Sequence, residues 1–346
     1  MTNENQDSFE DSSAVDLEVL KTRFLNWISF LDQTEWILKH QGFQKVITPF
    51  LVDSGAMESQ LEPFDLSFKF GQKTKKYQLP TSPEFNLKIA LASEIKDVFE
   101  IKSCFRNHEL SPHHNPEFTM LEFYKNDVDL NEFIEIVLNL IQDIVNISSQ
   151  KRKLNVDLTN TKTISPKQEN RILKIQECKI SDLFSVIGFD LKPSSTTQEL
   201  KQFARSIRLD FNENDNFDDL YFRLWIEKIE PYFDPEILTL VKFYPPSQAA
   251  LSKINDDGWA DRFEIYFQGL ELGNAFNELK GSKALEQRWN LENQKRVAQG
   301  KNPHPMDKKF IALNEKLPNC CGIAIGMERL FMAIHGYKNI NEFKIF

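Results

Sequence analysis

The sequence predicts an α+β fold, and three observations carry that expectation. From Phe105 to Tyr124 the chain reads as a strand–loop–strand hairpin. Its loop gathers Arg106, Asn107, His108, His113, His114 and Asn115, and its return strand, Met120-Leu121-Glu122-Phe123-Tyr124, sets a carboxylate among apolar residues. From Gly322 to Leu330 a glycine-punctuated strand runs into a helix that begins near Met327. Leu17 to Gly42 and Leu130 to Ile147 repeat apolar residues at helical spacing. With 346 residues, 41% of them hydrophobic and 29 of them Phe, the chain can bury a sizeable core as one large domain or two small ones.

Residues 1–16 are polar and acidic without apolar periodicity, and are expected to form a disordered tail ahead of a folded domain spanning 17–346. The first helix is expected to use Leu17, Leu20, Phe24, Trp27, Ile28, Leu31 and Trp36 on related faces and to stop at Gly42. Lys73-Thr74-Lys75-Lys76 is expected to be a solvated β-turn, and the polar stretch 148–170 a loop with short strands. From about residue 180 to 243 the spacing is helical, clearest over Leu220 to Pro231. Glu264 and Glu271 then fall on a pair of linked strands.

Composition narrows the function classes. Lys and Arg number 42 against 51 Asp and Glu, a net charge of −9, which argues against broad nucleic-acid binding because phosphate-backbone affinity rests on clustered cations. No apolar run approaches the ~20 residues of a membrane helix. The acidic start does not resemble a secretory signal, so a cytoplasmic location is expected. Cys104, Cys178, Cys320 and Cys321 lack paired metal-ligand spacing, and the adjacent Cys320 and Cys321 read as small buried hydrophobes.

The hairpin and the C-terminal strand–helix junction complement each other chemically. Arg106 supplies a fixed planar cation among imidazole and amide donors, which suits a polyphosphate. Gly322 and Gly326 let backbone approach a ligand, and Arg329 sits where a helix N-terminus already favours anions. Together they form a two-arginine phosphate clamp. Glu122, an acid in an apolar strand, demands a cationic partner.

These two segments resemble motifs two and three of class II aminoacyl-tRNA synthetases, in the lysyl branch. Gly42-Phe43-Gln44-Lys45-Val46-Ile47-Thr48-Pro49 resembles motif one. The likeness continues through Thr81-Ser82-Pro83-Glu84-Phe85, Phe263-Glu264-Ile265-Tyr266 and Glu271-Leu272-Gly273-Asn274-Ala275-Phe276-Asn277-Glu278-Leu279, so it covers nearly the whole chain. The resemblance implies the class II catalytic fold, an antiparallel sheet of about six strands flanked by helices, with the helical segment 180–243 as an insertion and a homodimer formed through motif one. It implies ATP and magnesium. Arg106 would contact the α-phosphate and Arg329 the γ-phosphate as the catalytic cations. His108, Asn115, Phe118, Glu264, Ile265 and Gly326 would complete the nucleotide site, with Glu264 and Glu271 holding the metal. Ser82, Glu84, Glu122, Tyr124, Glu271, Asn274, Glu278 and Ala324 would surround lysine.

No anticodon-reading barrel is expected before motif one, since residues 17–42 read as a single helix. The chain resembles instead the free-standing ligases of this branch, which attach (R)-β-lysine to a lysine of elongation factor P. Ala324, Lys301-Asn302-Pro303-His304-Pro305-Met306-Asp307 and Tyr244-Pro245-Pro246-Ser247-Gln248-Ala249-Ala250-Leu251 look like the ligase versions. Some positions depart from that pattern. The family normally has Glu at position 108. The ligases have alanine and glycine where this chain has Gly273 and Ala275, and Gly55 is synthetase-like. The readings left open are a ligase acting on elongation factor P, with tRNA an improbable acceptor; an enzyme that activates lysine to charge tRNA or another acceptor; and a non-catalytic relative that binds lysine or nucleotide.

Overall fold

The computed structural model describes residues 17–154 and 172–344, so the expected tail and most of the polar stretch 148–170 lie outside the described residues. In chain order the elements are α1 (Leu17–His40), β1 (Gln44–Lys45), β2 (Asp65–Phe70), β3 (Lys73–Gln78), α2 (Glu84–Ala92), β4 (Val98–Phe105), β5 (Glu117–Asn126) and α3 (Leu130–Leu154). There follow β6 (Lys174–Lys179), α4 (Ile180–Val186), α5 (Thr197–Ser206), α6 (Phe217–Leu224), β7 (Ile237–Tyr244), β8 (Ala260–Phe267) and β9 (Leu270–Asn277). The chain closes with α7 (Ser282–Ala298), α8 (Lys308–Leu313), β10 (Cys320–Gly326) and α9 (Met327–His335).

Eight strands form one sheet in the order β1-β4-β5-β10-β9-β8-β7-β6. Its six inner strands are antiparallel neighbours, while β1 and β6 join the edges in parallel. The expected antiparallel sheet is therefore the centre of a larger mixed one. Side chains alternate between its two faces. Leu121, Phe123, Ile265, Ala275, Ile323 and Ile325 pack on one side into the main core with residues of α1, α3 and α9. The opposite face carries the polar residues of the inner strands.

Three expectations are corrected here. In α1 the buried residues are Trp27, Phe30, Thr34, Ile37 and Leu38, whereas Leu17, Ile28 and Trp36 are exposed, because the helix offers one stripe to the core. Its stop stands: Gly42 follows it at φ +90°, a left-handed backbone that favours glycine. The helical segment does not reach residue 243, since Ile237–Tyr244 is strand β7. Covered on both faces, that strand is a nearly continuous apolar run, which spacing alone cannot tell from a buried helix. Helices α4, α5 and α6 form their own core, in which Phe184, Leu220, Tyr221 and Trp225 meet Val241 of β7 and Tyr266 of β8. Lys73–Lys76 belongs to β3, paired with β2 in an exposed two-stranded hairpin rather than forming its turn. Among the described residues no helix is long and apolar enough to cross a membrane.

Candidate active site

Strand register assembles the site. Glu122 of β5 lies opposite Ala324 of β10, Ala324 opposite Asn274 of β9, and Asn274 opposite Glu264 of β8. Because paired residues share a face, four residues far apart in sequence form one row across the polar side of the sheet. A register shift in β9 extends it: Ile265 pairs with Gly273 but Tyr266 pairs with Glu271, which leaves Leu272 as an extra residue. This bulge lets Glu271 and Asn274, three residues apart, share the site face.

Off one side of the row, where β4 and β10 end, stand the two arginines. Arg106 follows β4 and lies 5.1 Å from the centroid of the Phe118 ring. Among the described residues it pairs with Glu109, at 3.8 Å, and its Nε is buried without a hydrogen-bond partner. Arg329, in the first turn of α9, donates to the Glu271 carbonyl at 3.0 Å and contacts His114 Nε2. Burial and the neighbouring Arg329 guanidinium depress His114 to about 4, so the ring is neutral near pH 7 and can accept from the arginine. Asn115 and Phe118 are half-buried beside it; His108 is exposed with φ +65°. Gly326 leaves open space toward Arg329, the nearest side chain to a Cβ there, at 3.8 Å. Ile265 differs: its side chain is fully buried in the main core, so only its backbone is available to a nucleotide.

Glu264 is held on both oxygens. Arg262 donates to Oε1, while the Tyr244 hydroxyl, at 2.8 Å, and the Tyr266 hydroxyl donate to Oε2. Burial and the Glu264 charge raise Glu271 to about 7, although Arg329 Nη1 lies 3.9 Å from its Oε2. No third His, Cys, Asp or Glu joins them in a metal-sized group among the described residues. The pair fits a divalent cation that takes most of its ligands from phosphate oxygens, and does not fit an all-protein metal cage.

Off the other side, toward Tyr124, Gly322 and Glu278, lies the acidic pocket. Glu84 opens α2, its amide N–H donating to Ser82 Oγ at 3.3 Å, and its Oε1 is 2.5 Å from Lys88 Nζ. Lys88 also pairs with Glu278. Tyr124 donates to Glu122 Oε1, while Glu122 Oε2 is buried without a partner. Gly322 makes room for this arrangement, since a Cβ there would stand 2.2 Å from the Tyr124 ring and 2.8 Å from Glu278 Oε1. A cavity opens above, lined by Gly55, Glu58, Thr81, Ser82, Glu84 and Leu251 among others. The loop bearing Glu58 is pinned from α7: Arg296 donates to the Ser59 and Leu61 carbonyls, both at 3.0 Å, and the Ser59 amide donates to Glu292 at 2.9 Å. The side is thus rich in carboxylates with one orphaned acceptor, and the arginine side holds an orphaned donor. An ammonium and a phosphate or carboxylate are what these atoms lack.

A sequence model of the family described as tRNA synthetases class II (D, K and N) matches residues 17–346. The chain belongs to that family. It is 34% identical over 314 residues to the elongation factor P--(R)-beta-lysine ligase of Histophilus somni (strain 2336), with 87% of each chain covered. To the proteins of the same name from Haemophilus ducreyi and Proteus mirabilis it is 33% identical over 312 residues and 31% over 310, with 88% and 87% of each chain covered. The resemblance to the ligases of this branch is borne out by these relatives.

Within this class II frame, two departures find a physical setting. Gly273 and Ala275 face the core, not the site: both neighbour Ile323 and Ile325 on the side away from Asn274. A Cβ on Gly273 would lie 2.8 Å from the Ala324 carbonyl, so the exchange of small residues is a packing difference beneath the row. Ala324 does line the site, half-exposed between Glu122 and Asn274. Sequence reading missed Lys88, Arg262, Glu58 and the roles of Tyr244 and Tyr266. Lys88 alone left a signal, standing four residues after Glu84 on one helix.

Proposed function

We propose that the chain activates a lysine, (R)-β-lysine or its α isomer, with ATP and transfers it to a lysine side chain of elongation factor P. The observation that carries this reading is the Glu122–Ala324–Asn274–Glu264 row, with two arginines off one side of it and a carboxylate pocket off the other. The names of the relatives support the acceptor and the isomer.

In the first step a substrate carboxylate oxygen attacks the α-phosphorus of ATP, and the bond to the leaving pyrophosphate breaks. Arg106 is placed to hold the α-phosphoryl oxygens as charge shifts onto them, with Phe118 under the adenine. Arg329 takes the outer phosphates once these displace His114. Glu271, with Glu264 behind it, would hold magnesium, which when bound neutralises phosphate charge. In the second step the acceptor ε-amine attacks the carbonyl carbon of the mixed anhydride and AMP leaves; no protein nucleophile is needed. The pocket of Glu84, Glu122 and Glu278 holds the substrate ammonium groups. This reading includes a homodimer, a cytoplasmic setting and no requirement for tRNA.

Incubating the protein with elongation factor P, ATP, magnesium and (R)-β-lysine, with α-lysine in parallel, tests it by intact mass. A gain of one lysyl unit that Arg106→Ala abolishes is the expected result. No gain with either isomer, alongside charging of tRNA, would transfer the activity to the tRNA reading.

A further inference from the structure

The acidic pocket holds more carboxylates than cations, and one of its cations is the protein's own. Lys88 is 2% exposed, its Nζ lies between Glu84 and Glu278, and it stands 5.9 Å from the Tyr124 ring centroid. Glu122 and Glu278 are each 2% exposed. Glu84, Glu122 and Glu278 are mutual electrostatic neighbours. Glu84, Glu122 and Glu278 less one ammonium leave a deficit of two positive charges, which two ammonium groups of a diamino acid would fill. Glu58, a fourth acid on the same cavity, is raised to about 7 by burial and by Glu84 and also feels Arg106 and Arg262. Buried and uncompensated, surplus carboxylates cannot all stay ionised.

We propose that Lys88 sets the charge of this pocket, so that a diamino acid binds by displacing protons held on Glu122 and Glu278 when the pocket is empty. The inference rests on the lysine-activating reading and adds a specificity-determining residue to it. Each displaced proton leaves a carboxyl for solvent as a substrate ammonium takes its place. The groups facing the pair agree with this. From α2, Glu84 opposes ionisation and Lys88 favours it. From β5, Tyr124 donates to Glu122. From the loop before β8, Lys253 acts weakly on Glu278. On β10 the buried Cys320 thiol is itself pushed up and stays neutral. Glu100, opposite Glu122 on β4, is satisfied by the Thr48 amide and hydroxyl and takes no part. Burial, with Glu84 beside it, raises Glu278 to about 8 and lifts Glu122 well above the carboxylate range. Affinity for lysine should therefore climb as pH rises from 6 toward 8, about tenfold per unit for each proton released.

Calorimetry of lysine binding to the full chain at pH 7, in buffers of different ionisation enthalpy, counts those protons. Roughly one to two should be released per site. Glu122→Gln should lower the count by about one, and Lys88→Met, which enlarges the deficit, should raise it. A count that Lys88→Met leaves unchanged would make Lys88 merely structural and overturn its part. Binding heat that is independent of buffer in the unaltered protein would overturn the proposal outright, even if Lys88→Met does not fold. Absence of binding heat with either lysine isomer would instead overturn the lysine-activating reading, and this inference with it.

Discussion

The two arginines of the proposed clamp differ in what they do for the protein's own fold, and that difference can be measured. Arg106 stacks on Phe118, makes one long ion pair and has an unpartnered Nε, so little of the fold depends on it. Arg329 is tied to the Glu271 carbonyl and to His114. Arg106→Lys keeps the charge but loses the planar fork. It should lower lysine-dependent ATP–pyrophosphate exchange by about 10²–10³ while leaving the melting temperature where it was. Exchange at the unaltered rate would remove Arg106 from the α-phosphate. At this scale both arginines were legible, because a guanidinium in a loop of His and Asn, or at a glycine-flanked helix start, has no structural duty written nearby. Arg262 and Lys88 were not. Their meaning lies in partners that only folding brings close: Arg262 reaches Asn274 and Glu264, and Lys88 reaches Glu278.

Strand β4 shows how an element joins the site to the rest of the molecule. Its Glu100 accepts from the Thr48 amide and hydroxyl at 2.9 and 2.7 Å. Its Lys102, 5% exposed, donates to the Thr48 carbonyl and hydroxyl at 2.8 and 2.7 Å and to the Pro49 carbonyl at 2.9 Å. The motif-one segment is thus fastened to the sheet by hydrogen bonds from two buried β4 side chains, Glu100 and Lys102, which themselves pair at 3.8 Å. Removing one partner of such a pair leaves the other charged and unsatisfied. Lys102→Met should therefore cost about 3–5 kcal/mol in urea unfolding, although the side chains are of similar length. A loss under about 1 kcal/mol would mean that the segment is held by something else. Long periodic elements such as α3 were readable because one face is apolar and the other wet. The strand β7, buried on both faces, offered no alternation to read. The β9 bulge left no mark either, since an extra residue in a strand is visible only against its partner. The site row depends on that register, so its members could be named from motifs but not placed in one line.

The same motif-one segment carries the contact of the proposed homodimer. Beyond its buried anchor it presents Ile47, Phe50 and Leu51, which are 84%, 48% and 48% exposed in the single protomer. Adjacent exposed apolar side chains beside a buried anchor suit an association surface, and that is the role proposed for them. A second copy of the chain is the partner that the class II resemblance implies. Each protomer carries a net charge of −9, so two copies repel at long range and must be held by apolar burial at close range. Salt screens the first term and leaves the second. Sedimentation velocity should therefore show a dimer whose dissociation constant falls as salt rises from 50 to 300 mM. Ile47→Glu should give a monomer with unaltered circular dichroism, because Ile47 contributes little to the protomer's own core. If motif one couples the interface to catalysis, that monomer should also lose lysine-dependent pyrophosphate exchange, since the far side of the segment is fastened to β4, which delivers Arg106. A folded monomer with full exchange would separate assembly from chemistry. A dimer that dissociates as salt rises would place the contact on charged groups rather than on these three residues.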